Sequence, residues 1–283
     1  MELANQIIFL GSALLIVSII AGVLSSRIGA PLLLVFLALG MVAGEDGLGI
    51  QFNNFGAAYL LGSLSLAVIL FDGGLRTPLR SIRIAWAPAS VMATIGVVVT
   101  AAITGFAAVW LLDLPWIAGL LTGAIVASTD AAAVFLLLHQ RGMELRKRIG
   151  ATLEVESGVN DPMAVFLTVL LVELVASGGG LERLTTDVLV GFGTQMGLGL
   201  AFGIAGGFLI VQLVNRIELE SALYPIVVLA AALVLFSLTG ALGGSGFLAV
   251  YVAGLVAGNS RITGQVGLRR FMEGLTWIAQ IAM

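Results

Sequence analysis

The chain has 283 residues, of which 59% are hydrophobic and 10% charged, with a formal net charge of −3. Its mean hydropathy of +1.12 leaves too little polar surface for a water-soluble globule. The absence of cysteine excludes disulfides, thiolate chemistry and Cys-based metal binding.

The apolar runs are ~20 residues long and apolar all round, whereas the strands of a membrane β-barrel alternate over roughly 10 residues. The expected fold class is therefore all-α, a polytopic transmembrane helical bundle. The chain begins Met1-Glu2 with no positive residue before the first run, and its first arginine, Arg27, follows that run. This is the wrong order for a cleaved signal peptide, so the first run is read as a retained span. Nine complete spans are expected, at about 6 to 25, 30 to 44, 57 to 75, 87 to 112, 116 to 138, 150 to 176, 188 to 214, 222 to 242 and 246 to 258. A tenth is expected to begin near Leu275 and to break off at Met283. The 37 glycines suit such a bundle, because Gly lets transmembrane backbones pack closely.

Charge placement sets the orientation. Arg27, Arg76, Arg80, Arg83, Arg141, Arg146, Lys147, Arg148, Arg216, Arg261, Arg269 and Arg270 all follow odd-numbered spans, and only Arg183 follows an even one. The positive-inside rule then puts the N-terminus outside and the odd-to-even connections in the cytoplasm. Arg146, Lys147 and Arg148 are read as topology determinants and anionic-lipid contacts, and His139 in the same connection as solvated.

A weak internal repeat links spans 2 and 9. APLLLVFLALGMVAG (30 to 44) resembles GSGFLAVYVAGLVAG (244 to 258), with Gly40 matching Gly254 and Gly44 matching Gly258 at an offset of 214. Seven helices separate the copies, and an odd offset reverses their orientation, as in the inverted-topology repeats of secondary transporters. The first repeat would cover about 1 to 176 and the second would begin near 220 and be incomplete, with copies of spans 3 to 6 falling after Met283. On that reading the 283-residue chain is truncated, and its transport activity is expected to require a further repeat.

Of the 16 acidic residues, most sit in loops or at span ends. Asp130 and Asp161 sit near mid-bilayer in spans 5 and 6, and Glu154 and Glu156 accompany them. Ionised carboxylates there cost several kcal/mol (~2.5–3.5 on insertion scales) unless paired or hydrated, and intramembrane acids mark functional sites by default. GAIVASTDAAAVF (123 to 135) surrounds Asp130 with small residues and supplies Ser128 and Thr129 as oxygen ligands. In VESGVNDPMAVFL (155 to 167), Ser157 and Asp161 share a helix face with Glu154, and Asn160 and Glu156 lie on the adjoining one. Carboxylate, amide and hydroxyl oxygens suit hard cations. A carboxylate in a poorly hydrated cavity is pushed toward neutrality and a bound cation reverses that shift, so proton and cation compete for one site. If the site faces one side at a time, competition yields exchange.

STDAAAVF followed about 30 residues later by ESGVNDPMAVFLT resembles the NhaP-type cation:proton antiporters of the monovalent cation:proton antiporter superfamily. Within them it is most similar to the potassium/proton antiporter, or cell volume regulation protein, branch. The resemblance implies a homodimer of 13-span protomers in the cell inner membrane, with an ion site where a discontinuous fifth helix meets the sixth. It further implies Asp161 as the exchanged carboxylate, with Thr129, Asp130, Ser157 and Asn160 forming or supporting the site. The monovalent cation would be held at Asp161, Asp130, Ser157 and Thr129. Glu156 would pair with an arginine of a later helix, and Asp72 in LFDGGL matches an acid near the inner end of the third span. The electrogenic branch carries two adjacent aspartates, so Asn160 favours electroneutral one-for-one exchange.

The function expected is export of potassium or sodium against protons, serving ion, pH and volume homeostasis, with potassium favoured. No cofactor, no enzymatic activity and no nucleic-acid partner are expected; the partners are cations, protons and membrane lipid. An intramembrane aspartyl protease would need a Gly-x-Gly-Asp segment and a Tyr-Asp pair, and neither surrounds Asp130 or Asp161. A channel would more often build its filter from backbone carbonyls or charged rings. A sodium-coupled symporter of an organic anion or other small solute is the main alternative.

Overall fold

A computed structural model of the chain describes residues 2–28, 32–45, 47–50, 53–129, 134, 138, 145–176 and 186–283. Every regular element among the described residues is helical: α1 (Glu2–Ile28), α2 (Leu32–Ala43), α3 (Phe55–Arg76), α4 (Leu79–Leu112), α5 (Trp116–Ile125), α6 (Lys147–Ala176), α7 (Thr186–Arg216), α8 (Leu223–Ala241), α9 (Gly246–Gly258) and α10 (Gln265–Ala282). Six of these regions are long and apolar enough to cross a membrane, in α1, α3, α4, α6, α7 and α8, and α2, α5 and α9 are shorter apolar helices. Large apolar side chains lie exposed on them, among them Phe9, Leu34, Ile103, Phe106 and Trp110. Outward apolar surface of this extent is what lipid requires, and the chain is a multi-pass membrane protein.

The chain divides into two compact units, Met1–Ser65 with Ala132–Glu144 and Leu275–Met283, and Leu66–Ala131 with Leu145–Gly274. In the first, α1 packs on α2. The second carries the residues of interest, and glycine decides how its helices meet. In α7, Gly199, Gly203 and Gly207 recur every fourth residue and face Ser245, Ala249 and Ala253 around α9, with no room for a Cβ at any of the three. This is the small-residue stripe that lets membrane helices touch backbone to backbone. The opposite side of α9 meets α3 in the same manner: Gly254 lies against the Phe71 carbonyl, Gly258 against that of Leu75, and Gly74 against that of Tyr251. Leu248 to Gly254 and Ala257 are consequently all buried, and α9, apolar all round, is a core helix.

An amide fixes the end of α9. Asn259 donates from Nδ2 to the Thr77 carbonyl and accepts at Oδ1 from the Leu79 N–H, both at 2.9 Å. It thus satisfies the backbone groups left open where Pro78 separates α3 from α4. Asn215 of α7 clamps the next connection, donating to the Arg261 carbonyl at 2.8 Å and accepting from the Thr263 N–H at 2.9 Å. Long α4 contains Pro88 and, just after it, a π-helical turn over Met92–Gly96. Proline withholds one hydrogen bond there, and the widened turn restores the ladder. Asp113, in the left-handed region at φ 54, ends α4, and Pro115 starts α5.

Two boundaries differ from the sequence expectation. Span 5, expected to run from 116 to 138, is interrupted: α5 ends at Ile125, residues 127–129 have no regular structure, and Val134 and Leu138 are again helical. The last helix begins at Gln265 and not near Leu275, so Arg269 and Arg270 lie within a helix and not in a connection. Leu268 and Met272 bury one face of it while Arg269, Arg270 and Glu273 lie exposed, and this amphipathic turn escapes a search for long apolar runs. His139 and Asp130 lie outside the described residues.

Candidate functional site at the α5 break

The site is built where the α5 chain unwinds against the middle of α6. Close crossing of α4 and α5 sets this up: Gly105 lies against the Gly119 carbonyl and Gly123 against that of Ala101, with no space for a side chain. Val126 caps α5 through its N–H to the Thr122 carbonyl at 3.3 Å, and Ala127 is 1% exposed. Ser128 and Thr129 therefore approach α6 outside any regular element, which leaves their peptide groups without helical partners.

α6 is one helix of 30 residues even though it carries Glu154, Glu156, Asn160, Asp161 and Pro162. Pro162 is fully buried and has no N–H to give the carbonyl of Gly158, so the ladder is open one turn below it. The polar groups of this turn are satisfied across the crossing. Asn160, 0% exposed, donates from Nδ2 to Thr129 Oγ1 at 2.6 Å, to Glu156 Oε1 at 3.1 Å and to the Thr129 carbonyl at 3.3 Å. Ser157 Oγ donates to that same carbonyl at 3.2 Å. Thr129 Oγ1 in turn donates to the Glu156 carboxylate, at 2.9 and 3.1 Å from its two oxygens. The Ser128 hydroxyl donates to Asp161 Oδ1.

Six residues thus converge: Ser128, Thr129, Glu156, Ser157, Asn160 and Asp161. Glu156 is 5% exposed, and its partners among the described residues are neutral donors, each such bond to a charged group contributing about 1.5–3 kcal/mol. Several such bonds offset the desolvation of a buried carboxylate, which amounts to several kcal/mol in a real protein (of order 20 in the idealised limit). Asp161, Ser128 and Ser157 are half-buried and Thr129 is exposed, so the cluster has an accessible edge. The Asn160 Oδ1 atom is buried without a donor. An orphaned acceptor costs ~1–3 kcal/mol, a cost that a cation beside it removes. Carboxylate, hydroxyl, amide and peptide oxygens at one crossing are a hard, oxygen-only donor set.

The remaining candidates stand elsewhere. Asp72, 4% exposed, accepts from Arg76 Nε at 2.9 Å in an i, i+4 ion pair on its own helix. Glu154 is half-buried and faces Ser81 of α4. Three features were not found from sequence. The Thr129 carbonyl became an acceptor only through unwinding, and neither Asn259 nor Tyr251 carries a local signal that marks its long-range contacts. Asn160 was read for its charge neutrality, whereas its structural part is as the donor that joins α6 to the unwound segment.

A family model described as sodium/hydrogen exchanger, transmembrane, matches residues 13–279. The K(+)/H(+) antiporter NhaP2 of Shewanella oneidensis is 48% identical over 280 residues, 99% of this chain and 48% of that protein. The K(+)/H(+) antiporter NhaP of Alkalimonas amylolytica is 48% identical over 284 residues, 100% of this chain and 49% of that protein. The chain spans about half the length of the curated relatives it matches. Among solved structures, the sodium proton antiporter MjNhaP1 of Methanocaldococcus jannaschii superposes with a TM-score of 0.81 at 22% identity, covering 99% of this chain and 70% of that one. That likeness is one of fold.

Proposed function

The chain belongs to the sodium/hydrogen exchanger family, and from that premise we propose that the whole protein exchanges a monovalent cation for protons across the cell inner membrane, with Asp161 as the carboxylate that carries each in turn. The observation that carries this reading is the meeting of Ser128 with Asp161, and of Thr129 with Asn160 and Glu156, at the break in α5. A cation at Asp161 would draw further oxygens from Ser157, Thr129 and, by the family resemblance, Asp130. When a proton takes the carboxylate, its charge is gone and the cation leaves; when a cation binds, the proton leaves. Alternate access to the two sides turns this competition into antiport.

Potassium is favoured over sodium, in keeping with the names of the relatives at 48% identity. Asn160 beside Asp161 leaves one titrating group of the pair, and exchange is electroneutral on that account. The basic residues following odd-numbered spans support an external N-terminus. Short α2 and short α9 support nine spans and a tenth arranged as inverted repeats, the second of them starting near residue 220. Homodimerisation in the membrane follows the family pattern, and Asp72, Glu154 and Glu156 act as supporting acids.

The test is a cation jump on vesicles that carry the whole transporter and a preformed proton gradient. Potassium or sodium alone, with no organic solute, is expected to collapse the gradient. A sodium-coupled symporter would leave the gradient intact until an organic solute is supplied, and that result would overturn the reading.

Thr129→Val keeps the shape of the side chain but removes the donor to Glu156 and the acceptor for Asn160. Loss of one charge-assisted bond of ~1.5–3 kcal/mol is expected to raise the cation concentration for half-maximal exchange about tenfold or more. Thr129→Ser retains the hydroxyl and should stay close to wild type. Concentration curves of the cation jump for both variants check this.

A further inference from the structure

Tyr251 of α9 presses its ring on α6 at the level of the exchange site. Gly158 of α6 has no room for a Cβ, which would overlap Cε2, Cζ and the hydroxyl oxygen of Tyr251. Tyr251 is 4% exposed, so this contact belongs to the interior. A glycine in mid-helix costs roughly 0.5–1 kcal/mol relative to alanine, and Pro162 leaves the Gly158 carbonyl without its helical donor. α6 is therefore weakest from 158 to 162, where the ring meets it.

Helical geometry sets this contact directly behind the site. At 3.6 residues per turn, Gly158 lies about 160° around α6 from both Glu156 and Asn160, and about 3 Å along the axis from each. Those two residues carry the bonds to Thr129. The unwound segment thus grips one side of α6, and the Tyr251 ring backs the other side at the same level. The seat of the ring is itself firm. The Tyr251 carbonyl lies against Gly74 of α3, and the neighbouring Ala249 and Val252 lie against Gly203 of α7, with no space for a Cβ at either glycine. Asn259 ties the end of α9 to Thr77 and Leu79. α9 cannot back away from α6 without opening these contacts.

We propose that Tyr251 is a positioning residue of the exchange site, an extension that rests on the antiport reading above: the volume of its ring holds α6 against the α5 break and so sets the affinity for the cation. Without the ring, α6 settles toward α9, the Thr129 bonds to Glu156 and Asn160 lengthen, and the oxygens around Asp161 spread. The ring performs this by size alone, so its hydroxyl is dispensable.

Four variants of the whole transporter in liposomes test the proposal, with membrane-inserted protein quantified for each. Tyr251→Phe keeps the ring and should hold the half-saturating cation concentration within about twofold of wild type. Tyr251→Leu removes the outer end of the ring. Because a misplacement of ~1 Å can cost as much as ~10²-fold, it is expected to raise that concentration about tenfold or more while the maximal rate stays within about twofold. Gly158→Ala pushes the ring off α6 and should act in the same direction. Tyr251→Leu combined with Gly158→Ala should recover most of the loss, because the added Cβ enters the space that Cε2, Cζ and the hydroxyl vacate. A role in stability alone would lower the inserted amount and the maximal rate and leave half-saturation where it was. Wild-type half-saturation in Tyr251→Leu, a Tyr251→Phe variant as weak as Tyr251→Leu, or a double variant no better than the worse single one would overturn the positioning role while wild-type antiport stands. Absence of cation-dependent proton flux in the wild type would instead overturn the antiport reading, and the positioning role with it.

Discussion

Asp161→Asn is expected to lower cation-driven proton exchange below a tenth of wild type while expression and membrane insertion stay near normal. The asparagine keeps the outline of the side chain, and its Oδ1 can still accept the Ser128 hydroxyl, so the α5 to α6 crossing survives. What it removes is the group that is charged when it holds a cation and neutral when it holds a proton. Neither Glu156, engaged by Thr129 and Asn160, nor Asp72, paired with Arg76, is arranged to take that part. Exchange above a tenth of wild type, measured by the cation jump at matched protein amounts, would remove Asp161 from the mechanism.

The second large effect concerns stoichiometry. Asn160→Asp changes no size, but it replaces the donor that Thr129 and Glu156 share with an acceptor facing the Glu156 carboxylate. Two carboxylates within hydrogen-bond distance do not both ionise, so the new pair holds one proton in common. A cation at Asp161 displaces that proton as well as the usual one, and the cycle moves net charge. An imposed potential of 100 mV is worth ~2.3 kcal/mol per charge moved, so the equilibrium cation gradient should shift by up to roughly 40-fold in the variant and not at all in the wild type. Potential-clamped liposomes give the answer directly. A variant that ignores the potential would mean that charge count at position 160 does not set stoichiometry.

Much of the fold was legible because lipid imposes a length rule on apolar runs, and the helices from α1 to α9 sit where those runs lie. The rule is blind where hydropathy and backbone conformation part company. GAIVAS in the expected span 5 is as apolar unwound as helical, so hydropathy ran the helix past Ile125. The break came into view only through the family resemblance. α10 failed the other way, because an amphipathic turn holding Arg269, Arg270 and Glu273 has no long apolar run to count.

In the site, the acids and their oxygen neighbours were legible from their cost: Asp161 and Glu156 in the midst of a span demand partners. Which partner each finds was not. Ser128 with Asp161 and Thr129 with Glu156 are separated by 33 and 27 residues, and only the packing of the α5 break against α6 brings them together. The Asp72 to Arg76 pair has the i, i+4 spacing that sequence alone offers. Tyr251 stayed hidden because an aromatic in an all-round apolar helix reads as core until its ring is found pressed on Gly158 of α6.

Competition between proton and cation for Asp161 is the claim on which the rest depends, and counting protons released on cation binding tests it most directly. The whole transporter, purified in lightly buffered detergent with a pH indicator, is titrated with potassium and with sodium. One proton released per cation bound by the wild type, and none by Asp161→Asn, is the predicted result. Cation binding that releases no proton from the wild type, or that releases the same number from the variant, would contradict it.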